Sequence, residues 1–151
     1  MSLELQAGSL IEGNVVGNAA VGPNDTFRLG GTEDAIFDVS AIGPQYRNFD
    51  TFEKTGASTW ALTGTGTATT NWNILDGALQ LGNGGTSGSV VGNLTTASAG
   101  TLAFNRSDIF SFNNLIVGTG AISQMGNGTT IITADNSAFA GSTAIKAGSC
   151  Q

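Results

Sequence analysis

This chain repeats itself, and that limits what it can fold into more than any other feature. Leu5-Gln6-Ala7-Gly8-Ser9-Leu10 returns as Ile74-Leu75-Asp76-Gly77-Ala78-Leu79 and again as Ile145-Lys146-Ala147-Gly148-Ser149-Cys150, at spacings of 69 and 71 residues. Between these anchors the halves also correspond. Val15-Val16-Gly17-Asn18 matches Val90-Val91-Gly92-Asn93 and Thr26-Phe27-Arg28-Leu29 matches Thr101-Leu102-Ala103-Phe104, both at 75, while Phe52 to Thr59 matches Ile122 to Thr129 at 70. Each unit is supersecondary structure that buries its apolar side against the next copy. The chain 1–151 therefore reads as a single domain of two units, about 5–74 and 74–145, cut from a longer array.

Within a unit the apolar period is two. Phe27 and Leu29, Trp60 and Leu62, Trp72 and Ile74, and Leu102 and Phe104 alternate beside Gly, Asn and Thr. That is the pattern of short half-buried strands. Gly, Thr, Ser and Asn make up 68 of 151 residues, all mediocre or poor helix formers, so a helical bundle is excluded. A unit of about 70 residues divides into roughly three turns of 20–25 residues, which suits an all-β parallel solenoid with a continuous apolar column, right-handed by the rule for parallel crossovers. Trp60 and Trp72 are expected in that column. The drift in spacing marks two insertions: one near 82–88, and one of five residues in the first half, Pro44, Gln45, Tyr46, Arg47 and Asn48.

Phe52-x-Lys54-x-Gly56-x-Ser58-Thr59-x-x-Leu62-x-Gly64, with its counterpart Ile122-x-Gln124-x-Gly126-x-Gly128-Thr129-x-x-Ile132, resembles the autotransporter-associated β-strand repeat. The continuation Ala144-Ile145-Lys146-Ala147-Gly148-Ser149 is similar to the strand that follows it in that repeat. The resemblance implies a right-handed β-helix in the passenger of a type V secreted protein from a Gram-negative bacterium. It implies a place on the cell surface or in the medium, with a membrane reached only through a C-terminal barrel that this chain lacks. The motif is structural and brings no catalytic residue with it.

Chemistry is scarce. With no histidine, Ser-His-Asp and Cys-His nucleophilic sites are absent, and one cysteine makes neither an internal disulfide nor a thiolate metal site. No cofactor or metal is expected, and the acidic group Glu33, Asp34 and Asp38 is read as a solvated turn. A net charge of −6 with five cations argues against nucleic acid. The expectation is a non-enzymatic adhesin or virulence surface protein whose partner is a host cell-surface or extracellular-matrix component. A secreted effector binding a host receptor is the alternative, and a polysaccharide-acting β-helix enzyme a weaker one. Residues 1–54 carry eight acidic and three basic residues against three and two in 55–151. Charge and insertion thus coincide in the first unit, which makes Pro44, Gln45, Tyr46, Arg47 and Asn48 the candidate binding loop. Cut ends of a solenoid also suggest end-to-end self-association, with Cys150 near one end.

Overall fold

A computed structural model describes residues 1–18 and 24–151. Its main sheet runs Ser2–Leu5, Thr26–Leu29, Thr51–Lys54, Trp72–Leu81, Leu94–Phe104, Ala121–Gln124 and Ser142–Ile145, in chain order. All of these ladders are parallel, with partners between 19 residues apart (Thr59 with Ala78) and 25 apart (Phe27 with Phe52). A parallel neighbour cannot be reached by a tight hairpin. Each strand therefore lies on the previous one after a full coil, and the chain is a parallel β-solenoid. Among the described residues the only helix is the 3-10 turn Val39–Ala41. The all-β solenoid expected from the repeats is what forms.

Alternation sorts side chains into rows. On a first column Phe27, Phe52, Trp72, Leu94 and Ile116 stack in register, beside the row Leu5, Leu29, Lys54, Ile74 and Thr96. On a second column Trp60, Leu79, Leu102 and Ile122 form one inward row, and Phe37, Leu62, Leu81, Phe104 and Gln124 the other. Shorter parallel ladders close the coils: Val15–Val16 with Tyr46–Arg47, Thr65–Thr69 with Ser89–Val91, and Ile109–Phe112 with Thr129–Ile132. Both tryptophans are buried as expected. Each indole N–H is satisfied: Trp60 Nε1 donates to the Gly30 carbonyl at 2.9 Å and Trp72 Nε1 to Thr70 Oγ1 at 3.0 Å. A large side chain buried this way stabilises by about 1.5–3 kcal/mol.

The corners explain the composition. Asp25, Asp50, Asn71 and Asn93 each stand one residue before a first-column strand. There their side chains take up main-chain donors of adjacent coils. The Asn93 N–H donates to Asn71 Oδ1 at 2.9 Å, the Leu115 N–H to Asn93 Oδ1 at 3.2 Å and the Asp25 N–H to Asp50 Oδ2 at 3.1 Å. Such side-chain acceptors satisfy backbone where the ladder is interrupted. At the bend of Trp72–Leu81, Gly77 has φ +66°, and a methyl there would run into the carbonyl oxygens of Gly56 and Ser58. That close approach of two adjacent coils requires glycine.

The stacking register differs in one respect from the sequence correspondences. Leu5 reaches Ile74 in three coils, through Leu29 and Lys54. Three coils beyond Ile74, through Thr96 and Gly118, lie at Phe139, so Ile145 stands one column further round. Likewise Thr26–Leu29 belongs to the first column, whereas Thr101 to Phe104 belong to the second.

Candidate binding surfaces

The segment expected to project as a binding loop is partly built into the wall. Tyr46–Arg47 is a strand paired with Val15–Val16. Tyr46 is only 6% exposed; its ring lies edge-on to Phe27 at 5.1 Å between centroids and tilted against Phe37 at 5.7 Å. Burial raises its phenol pKa. Gln45 Nε2 donates to the carbonyls of Ile11 and Gly13 at 3.0 and 2.9 Å, and Asn48 sits at φ +58°. Pro44, Arg47 and Asn48 are exposed, and Arg47 Nε is bonded to the Pro44 carbonyl at 2.8 Å. Tyr46, expected on the surface, is instead packed inside the coil where the five extra residues enter.

Charge in the first coils is also partly internal. Glu4, Arg28 and Glu53 occupy one outward row. Arg28 donates from Nε and Nη2 to Glu53 Oε2 at 2.9 and 2.6 Å, and its Nη1 lies 3.6 Å from Glu4 Oε2. Glu53, as the largest cause, raises the Arg28 pKa. Asp34 Oδ1 accepts from the Thr59 N–H at 2.7 Å, and Asp38 Oδ1 from the Ser40 N–H and hydroxyl at 2.9 and 2.6 Å. These carboxylates serve the backbone. No three potential ligands among the described residues gather to hold a metal.

The other insertion does project. Residues 83–87 are exposed, and the loop is tied at its base by Arg106, whose Nη1 donates to the Gly88 carbonyl at 3.0 Å and whose Nη2 donates to the Thr86 carbonyl. Arg106 also pairs with Asp108 at 2.8 Å and lies 4.2 Å from the centroid of the Phe110 ring. Beside this loop the outer side of the second column is hollowed. One cleft of about 400 Å³ is lined by Asp34, Ile36, Thr59, Gln80, Asn83 and Asn105 among others. Another of about 330 Å³ runs over Thr101, Ala103, Ser123 and Met125 to Lys146. Thr59 and Gln80 line both, so the two form one trough across the coils. Sequence reading missed it because its floor is made of Ala, Thr, Ser and Gln.

Similarity to a known protein agrees with this architecture. The chain is 39% identical over 108 residues, 69% of its length, to the adhesin BmaC autotransporter of Brucella suis biovar 1 (strain 1330). The chain belongs with the autotransporter passenger segments. It spans about 3% of the length of that relative. No family model matches it, and no solved structure does. No helix among the described residues is long and apolar enough to cross a membrane. The repeat resemblance at Phe52 to Gly64 thus meets a related autotransporter protein and a parallel β-solenoid, two independent observations.

Proposed function

We propose that this chain is a stretch of adhesin-type passenger, carried at the bacterial surface or released, that presents its outer faces to a host cell-surface or matrix component. The observation that carries this reading is the kinship with a protein named as an autotransporter adhesin, on a parallel β-solenoid. A rigid stack with hydrogen-bonded corners holds its surface features at fixed spacing, which suits presentation more than chemistry. The test is retention of the purified 151-residue chain on host cells and on immobilised matrix proteins, against an unrelated β-solenoid of similar net charge. Equal retention of both proteins would sink the adhesin reading. Recovery of the full-length passenger from culture supernatant, without cell-associated material, would favour the secreted-ligand alternative.

Self-association belongs to the same reading. All four residues of Ser142–Ile145 are exposed, and its far edge pairs with no strand among the described residues. Unpaired parallel edges are templates for another strand. The isolated chain is expected to associate end to end, with a weight-average mass that rises with concentration in light scattering. Cys150, half-buried with its thiol pKa raised by burial, would cross-link a fraction of such dimers under oxidising conditions. A constant monomer mass up to millimolar concentration would overturn this.

A further inference from the structure

We propose that the trough on the outer side of the second column binds an uncharged oligosaccharide laid along the solenoid axis. This rests on the adhesin reading and names a ligand class and a site for it. The floor is a row in which Ala61, Gln80, Ala103 and Ser123 pair one above the next, on the opposite side of the sheet from Leu62, Leu81 and Phe104. Although outward, these four are 3–7% exposed, and all four line the clefts. Ile36 and Ala144 extend the row at either end. Six strands at about 4.8 Å give a run of about 24 Å.

The second observation is a hydroxyl without a partner. Ser123 is 6% exposed and lines the trough, yet its Oγ makes no hydrogen bond. A buried polar group left unpaired is costly, and such groups in native structures call for an explanation. The Oγ itself is closed to solvent, and a turn about the Cα–Cβ bond would bring it to the floor, where a ligand hydroxyl supplies the missing bond.

The chemistry of the lining selects the ligand. Thr59, Thr101, Gln80, Ser123, Asn83 and Asn105 offer hydroxyls and amides at successive coils. Ionisable groups stand only at the two ends, Asp34 and Lys146. A polyanion finds no cationic track. An aliphatic chain would desolvate the hydroxyls and amides without pairing them. Strand addition by a peptide is closed, since the floor strands Thr59–Thr63, Trp72–Leu81, Leu94–Phe104 and Ala121–Gln124 are each paired on both sides. A neutral chain of hydroxyl-bearing rings pairs with such a surface, and its ring spacing is close to the coil rise.

The experiment is a panel of immobilised neutral oligosaccharides built from hexoses and N-acetylhexosamines, alongside sialylated and sulfated ones, probed with the purified chain. The same preparation is tested on host cells. Retention on one or more neutral members is expected. Thr101→Trp and Ala121→Arg, which fill or charge the trough, should each weaken it tenfold or more with the melting temperature kept. Ser123→Ala should weaken it several-fold while the melting temperature holds or rises, which a merely structural role would not produce. Arg47→Ala should leave it unchanged. Cell binding that persists with no neutral oligosaccharide retained would overturn the trough proposal and leave the adhesin reading standing. Loss of both would overturn both. Retention by Thr101→Trp and Ala121→Arg, each folded, or preference for the sulfated or sialylated members, would overturn the proposal as well.

Discussion

Replacing residues 44–48 with a short Gly-Ser link is expected to destabilise the protein by about 4 kcal/mol or more, since removing a buried aromatic alone costs about 3–5 kcal/mol. Counting repeats makes this stretch look dispensable, because the second unit has no counterpart to it. Packing makes it essential. Tyr46 lies against Phe27 and Phe37, and Phe27 in turn touches Phe52 and Trp72. Loss of the ring leaves a hole beside the first-column stack, and the link also removes the Gln45 side-chain bonds and the pairing with Val15–Val16. Each lost hydrogen bond adds about 1 kcal/mol. Urea unfolding of the replaced chain would show the fall, while Arg47→Ala should stay within about 0.5 kcal/mol of the parent, as exposed substitutions do. A replaced chain as stable as the parent would mean that the aromatic cluster contributes nothing net.

What the sequence made legible was decided by local rules. Alternation such as Trp60-Ala61-Leu62 states which side chains face inward, and the parent strand Thr59–Thr63 places Trp60 and Leu62 in the core. Asn and Gly clusters marked the corners, where Asn71 and Asn93 now cap neighbouring coils. Register around the coil was harder. Every column uses the same apolar-polar alternation, so Thr26 to Leu29 matches Thr101 to Phe104 in letters while occupying another column. The trough was illegible for a related reason: Ala103 and Ser123 carry small side chains found equally in turns, and only stacking shows that four such residues share one hollow. In the sequence Lys54 is a motif letter, with nothing in its charge to announce that it stands in an apolar row between Leu29 and Ile74.

Stability should therefore rise with pH over the interval in which Lys54 sheds its proton, and Lys54→Gln should abolish the rise. Lys54 is fully buried, and its Nζ donates to the carbonyls of Thr55, Gly56 and Asp76 at 2.7, 2.8 and 3.1 Å. Burial pushes its pKa down from 10.5 to about 8, against the opposing pull of Asp76 and Asp34. Between those values the unfolded chain holds a proton that the folded chain has released, so folding is favoured as pH increases. The contribution is fully present above the unfolded pKa and is lost as pH falls through about 8; over that interval it amounts to at most about 3 kcal/mol. Tyr46 and Cys150, both raised by burial, act in the opposite sense at alkaline pH in parent and variant alike, so the difference between the two proteins is the quantity to read. Glutamine suits the site because Gln124, at the matching motif position, reaches the Gly126 and Gly128 carbonyls at 3.0 and 3.3 Å. Lys54→Ala, which leaves both a cavity and carbonyls without donors, should cost about 3 kcal/mol. Urea midpoints of parent and Lys54→Gln at pH 7 to 10.5 that stay parallel would show that the ammonium is not desolvated as its burial requires.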